Sequence, residues 1–193
     1  MRKIIAALFM TLDGVVEAPG SGDTSLLEHR GWSERFMTPE IGGLIFSQMS
    51  ASDTMLLGRK TYQEFAAYWP TVPADDPFGQ SMNNQAKVVV STTLDKAEWK
   101  NSTLIKDNVV EEISRLKQQP GQTISIVGSP TLTRSLLPYG LIDELQLVVC
   151  PIVLGVGKRL FPDGTQKQPL TLIDAKTFSS GVVILSYRAE KNE

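Results

Sequence analysis

Thr123-Ile124-Ser125-Ile126-Val127-Gly128-Ser129-Pro130-Thr131-Leu132 decides the architecture of this chain. Five residues dominated by β-branched side chains read as a strand, which ends at a glycine. Pro130 then suits the first position of a helix reaching residue 137, with Ser129 as its expected cap. A strand feeding a helix through a tight turn is half of a βαβ crossover, the connection that parallel strands require. Gly128 lets a ligand approach the backbone, and the helix start offers unpaired N–H groups and a positive dipole end.

The same alternation continues on both sides. Upstream, residues 107–118 predict a helix capped by Asp107, with Glu111 and Glu112 in its early turns and Val109, Val110, Ile113 and Leu116 as its apolar stripe; Pro120-Gly121 ends it. Nearer the start, residues 2–10 read as a buried strand and 38–50 as a helix, with Thr38 capping, Pro39 in the first turn, and Ile41, Leu44, Ile45 and Met49 on one face. Residues 54–57 are a short strand, 60–67 a short helix, 87–91 and 103–106 two further strands. Residues 68–85, with Pro70, Pro73, Pro77, Asp75-Asp76 and Gly79, read as a loop. Downstream come strands at 144–150, 170–178 and 182–189, the last two joined by a turn at Ser179-Ser180-Gly181. Continuous apolar strands between helices imply a mostly parallel sheet covered on both faces, and the all-strand end implies an antiparallel hairpin at its edge. The expected class is α/β with a mixed sheet in one domain over residues 1–193.

Composition narrows the chemistry. The chain has 193 residues, 41 % hydrophobic and 21 % charged, with 19 basic and 21 acidic residues for a net charge of −2. A nucleic-acid binder would show a basic excess. One cysteine, Cys150, and one histidine, His29, allow no intrachain disulfide and no Cys/His zinc site, so no metal site is expected. Cys150 reads as a small buried hydrophobe and His29, among charged residues, as a surface side chain. No uncharged apolar run approaches the roughly 18 residues of a membrane helix, and Asp13 interrupts the N-terminal run that would otherwise suggest a signal peptide. A cytoplasmic protein with no membrane partner is expected.

Three strand ends carry anion-friendly groups. Gly58-Arg59-Lys60-Thr61 follows a strand and opens a helix, adding two cations to its positive end; Arg59 breaks the spacing of a Walker loop. Ser91-Thr92 places hydroxyls just past another strand. Gly128 to Thr131 is the third. Three such termini on one sheet edge fit an extended dinucleotide. The segment Gly155-Val156-Gly157-Lys158-Arg159 lacks the last glycine of a dinucleotide fingerprint and reads as a mobile flap from which Lys158 or Arg159 could reach a substrate anion.

Four segments carry a resemblance to a known family: Met10-Thr11-Leu12-Asp13-Gly14; Leu56-Leu57-Gly58-Arg59-Lys60-Thr61-Tyr62; Val89-Val90-Ser91-Thr92; and the run from Val127 to Gly155 that includes Gly140-Leu141-Ile142-Asp143-Glu144-Leu145 and Pro151-Ile152-Val153-Leu154-Gly155. In this order they resemble the dihydrofolate reductase superfamily, in its riboflavin-biosynthesis branch: stand-alone relatives of the C-terminal reductase domain of the bifunctional deaminase/reductase. The resemblance implies a three-layer dihydrofolate-reductase-like fold, NADPH as cofactor, and hydride transfer to a small heterocyclic or ribosylaminopyrimidine substrate such as 5-amino-6-(5-phosphoribosylamino)uracil. It implies that Arg59, Lys60, Ser91 and Thr92 face the 2′-phosphate side, that Gly128, Ser129, Pro130 and Thr131 hold the pyrophosphate, and that the nicotinamide lies near Ala7 and the Asp13-Gly14 loop, with Gly58, Thr61 and Val127 as further cofactor-binding candidates. Asp13 and Glu40 are the candidate proton donors, and Trp32, Lys158 and Arg159, with Arg30 and Arg35 as further cations, the candidate substrate contacts. A homodimer is expected, as such relatives commonly form. The carboxylate that folate reductases carry on their first long helix falls at Gly42 here, with Glu40 the nearest acid, and Ser129 stands where the family often has a second glycine. The alternatives are a non-catalytic NADPH-binding sensor and a dihydrofolate reductase.

Overall fold

The computed structural model describes residues 1–20 and 28–189. Its strands are β1 (Ile4–Thr11), β2 (Ser52–Gly58), β3 (Ala86–Val90), β4 (Ser102–Ile105), β5 (Thr123–Val127), β6 (Glu144–Cys150), β7 (Leu170–Thr177) and β8 (Val183–Ala189). They form one sheet in the order β4-β3-β2-β5-β1-β6-β8-β7. The first six run parallel; β8 pairs antiparallel with both β6 and β7. This is the α/β dihydrofolate-reductase-like fold with its C-terminal antiparallel hairpin. Because β5 returns between β2 and β1, the connections reverse direction there, and the carboxyl ends of these strands open a crevice.

The helices are α1 (Pro39–Ser50), α2 (Arg59–Tyr68), α3 (Pro77–Asn84), α4 (Val109–Gln118) and α5 (Pro130–Leu136). One sheet face is dry: Ile4, Ala6, Leu8, Leu56, Ile124, Ile126, Leu145 and Leu147 pack against Ile113 of α4 and Leu132 and Leu136 of α5. The other face has two separate clusters. Trp32, Phe36 and Ile41 cover Val148, Cys150 and Ile184 at one end. Met49, Tyr62, Met82 and Trp99 cover Met55, Leu57 and Val89 at the other. Between them the alternate positions of β5, β1 and β6 carry small or polar side chains, Ser125, Ala7 and Gln146, which give a helix little to pack on.

Three expectations are corrected. Residues 68–85 are not a loop throughout: Trp69–Thr71 is a 3-10 turn and Pro77–Asn84 is α3. Asp76 caps α3, its carboxylate accepting from the Gly79 N–H at 2.6 Å, and Pro77 takes the first helical position. Asp107 does not cap α4; Asn108 holds that place in a left-handed conformation (φ 46°) without a side-chain cap bond. Ser129 does not cap α5 either; its hydroxyl turns to β2 instead. Among the described residues no helix is long and apolar enough to cross a membrane.

Candidate active site

The uncovered stretch of sheet is the floor of a cavity of about 1150 Å³. It runs from the carboxyl ends of β3, β2 and β5 across Ala7 and Phe9 of β1 to Gln146 and Val148 of β6, roofed by Ile45, Gln48 and Met49 of α1. Register builds the floor: Ala7 lies between Val127 and Gln146, and Ile5 between Ser125 and Glu144. Residues two apart on a strand share a face, so Ile5, Ala7 and Phe9 all point into this space.

The three strand ends meet at one corner. Gly58, Arg59, Lys60 and Thr61 line it from the start of α2, Ser91 and Thr92 from the end of β3, and Val127 to Thr131 from the turn into α5. Gly128 (φ 62°) and Ser129 (φ 50°) are both left-handed, which costs the serine roughly 1–2 kcal/mol. Three bonds hold the pair: the Gly58 N–H donates to Ser129 Oγ at 2.9 Å, the Ser129 N–H donates to Thr61 Oγ1 at 3.2 Å, and the Gly128 N–H donates to Ala7 O at 3.1 Å. The β2 and β5 ends are thereby stitched together. Ser91 caps the following turn, accepting from the Thr93 and Leu94 N–H groups at 3.2 and 3.0 Å.

Glu17 also lines the cavity and organises its cations. Its carboxylate lies 3.2 Å from Lys158 Nζ and 3.7 Å from Lys60 Nζ, and accepts from the Lys158 N–H at 3.1 Å. Burial would raise this carboxyl, but the Lys158 bonds and the charges of Lys158 and Lys60 outweigh it and hold it below its ordinary range. Lys158 is thus in the cavity wall but on a segment that is pinned rather than mobile. Val16 N–H donates to Lys158 O, Leu160 N–H to Gly14 O, and Arg159 Nε to Asp13 O.

The remaining expected site residues lie outside the cavity lining. Asp13 is a loop clamp: Thr11 Oγ1, the Leu154 N–H and the Gly155 N–H donate to it at 2.6, 3.2 and 2.8 Å. The Thr11 bond above all, against a smaller burial effect, lowers its carboxyl to about 2, which keeps it ionised and unsuited to donating a proton near neutral pH. Glu40 is exposed in the first turn of α1. Trp32 is buried, its Nε1 donating to Glu17 O at 2.8 Å. Arg159 and Gly14 belong to the pinned loop pair. Arg30, Arg35 and His29 are exposed and away from the cavity. Sequence reasoning missed Glu17, Glu144, Gln146 and the α1 roof. The legible signal was Gln146, the one polar side chain inside Leu145-Gln146-Leu147-Val148-Val149.

Known proteins share the sequence pattern and the fold of this chain. The chain is 34 % identical over 191 residues to YyaP of Bacillus subtilis strain 168, covering 96 % of this chain and 94 % of that protein. Its fold is similar to a putative riboflavin biosynthesis protein from Shewanella sp. PV-4, with a TM-score of 0.74, 19 % identity, and 98 % and 99 % of the two chains covered. It is also similar to the deaminase/5-amino-6-(5-phosphoribosylamino)uracil reductase of Thermotoga maritima, with a TM-score of 0.65 and 12 % identity, covering 97 % of this chain and 56 % of that one. Residues 2–184 match the family model of the RibD C-terminal domain, and the chain belongs to that family.

Proposed function

We propose that the cavity binds NADPH along the β3, β2 and β5 ends and holds a small heterocyclic or ribosylaminopyrimidine substrate over Ala7, as an NADPH-dependent reductase. The observation that supports this is the continuity of one 1150 Å³ space from the cationic corner at Arg59 and Lys60 to the floor at Ala7 and Gln146. Arg59 and the first N–H groups of α2 suit a phosphate monoester, and the start of α5 brings Thr131 to the same corner for a diphosphate, the Gly128 and Ser129 N–H groups being taken by Ala7 O and Thr61 Oγ1. NADPH, when bound, supplies the hydride. The chain orients the two reactants and excludes water, and Lys60 and Lys158 offer charge to a substrate phosphate.

One feature separates this from a folate reductase. The roof offers Ile45, Gln48 and Met49, and Gly42 and Gly43 have no neighbour within 4 Å of where a Cβ would stand; α1 lends the cavity no carboxylate, which disfavours a folate reductase. Asp13 is held ionised and Glu40 lies outside the lining, so neither expected donor serves the cavity, which supports a non-catalytic NADPH sensor as the second reading. Titration of NADPH and NADH separates cofactor readings, and NADPH oxidation with ribosylaminopyrimidines and pteridines separates enzyme from sensor. Arg59→Ala is expected to weaken NADPH binding about ten- to a hundredfold, the worth of one charge-assisted contact, and NADH binding hardly at all. Equal losses for both would overturn the 2′-phosphate assignment.

A further inference from the structure

Gln146 is a polar residue in an otherwise apolar strand, 7 % exposed, and it faces the cavity beside Ala7. Its Nε2 donates to Glu144 Oε1 at 3.0 Å. No other protein partner for the amide occurs among the described residues. The carbonyl has no protein partner yet is not fully enclosed, so it opens on the cavity, where a ligand can take the place of water.

The bond to Glu144 also fixes the direction of the amide. A carboxylate oxygen accepts, so the Nε2 end must face Glu144 and the Oε1 end must face away. The side chain therefore presents one donor and one acceptor side by side in a set order. That edge is complementary to a cyclic amide or imide, whose ring N–H and C=O lie adjacent in the same plane, by the same logic that lets glutamine read a base edge in two bonds. The surroundings suit a flat ring. Ala7 next to Gln146 leaves depth at the floor, Phe9 walls one side, and Ile45 and Met49 lie across from it on α1.

We propose that Gln146, oriented by Glu144, is the specificity-determining contact for a substrate ring bearing a cyclic amide or imide edge. This rests on the cavity's reading as cofactor and substrate space, and goes beyond it by assigning the group that selects the ring. Glu144 acts through Gln146 and is a positioning residue.

The probe pair is lumazine, which has imide N–H groups, and 1,3-dimethyllumazine, which has the same rings and carbonyls with those N–H groups blocked. Calorimetric titration into the wild-type protein, with and without saturating NADPH, is expected to show lumazine binding at least about tenfold more tightly, since the blocked ring leaves Oε1 facing a methyl group. In Gln146→Leu the ratio is expected to fall to near one, and in Glu144→Gln to an intermediate value, because a second amide can either donate or accept and no longer fixes the order. Equal binding of the two probes to the wild type, no binding of lumazine at millimolar concentration, or full discrimination retained in Gln146→Leu would each overturn the assignment. The wild-type comparison needs no variant to fold. Failure of NADPH itself to bind would instead sink the reductase reading, so the two failures are distinguishable.

Discussion

Ser129 shows how a residue can be recognised correctly as part of a turn and still be given the wrong bond. A serine before proline at a helix start reads as a cap, because capping is what that residue type does locally. Here Gly128 and Ser129 are both left-handed, so the hydroxyl swings to the Gly58 N–H at 2.9 Å, a partner 71 residues away that no local pattern reveals. Gln146 is a related case: its polarity was visible and its partner Glu144 is two residues away on the same strand, but the cavity it faces depends on register across three strands. Two opposed effects set the expected ranking at Ser129. Ser129→Gly relieves roughly 1 kcal/mol of left-handed strain but leaves the Gly58 donor unmet; Ser129→Ala leaves the donor unmet and keeps the strain. Urea unfolding is therefore expected to order the proteins as wild type, then Ser129→Gly, then Ser129→Ala, with the alanine variant about 1–3 kcal/mol below wild type. An alanine variant as stable as the wild type would show that the bond contributes nothing.

At the scale of elements, the parallel strands and the helices α1, α2 and α4 were legible because each has an unbroken period and clear boundary residues. The helix α3 was not: its prolines and aspartates are the residues of loops, and what makes Asp76-Pro77 a helix start is Phe78 packing on Trp69 (ring centroids 5.1 Å apart) and Met82 entering the core, both tertiary facts. The loop at Lys158 reaches the cavity as expected of a flap, but its tethering was hidden for a related reason: its glycines suggest freedom, while long-range bonds to residues 13–17 tie it down. Asp13 is the clamp of that loop pair, and its lowered carboxyl, at about 2 against an ordinary 3.8, predicts how the clamp releases. The ionised form is favoured in the folded state, so its stabilising effect is complete above about pH 4 and is lost as pH falls through about 2. Asp13→Asn is expected to be less stable than wild type by about 1 kcal/mol at pH 5, after allowance for solvent screening. The gap should narrow toward pH 2, where the folded wild-type side chain is about half protonated and begins to resemble the amide. A gap that stays constant between pH 5 and pH 2 would mean that the charge does not hold the loops.

For the whole molecule, the two faces of the sheet are built to different standards. The face under α4 and α5 is one continuous core; the face under α1 to α3 is two clusters with the cavity between them. A helix laid over open space buries less apolar surface per residue, so α1 is expected to open at a lower free-energy cost than the sheet itself. Cys150 reports on this. It is the sole cysteine, fully buried at the end of β6 among Trp32, Phe36 and Ile41, and burial pushes its thiol up to about 11. Only the thiolate attacks a disulfide reagent, so the native protein is expected to resist labelling at pH 8, and whatever labelling occurs measures the opening of the α1 side. Cys150→Ala combined with Ala6→Cys moves the single thiol to the buried opposite face, where labelling should require global unfolding. The expected result is that Cys150 labels faster than Cys at position 6 in native buffer and with a shallower dependence on urea, and that NADPH slows Cys150 selectively by filling the space beneath α1. Identical rates and urea slopes for the two thiols would show that both faces open together, in which case the cavity costs the fold no local stability.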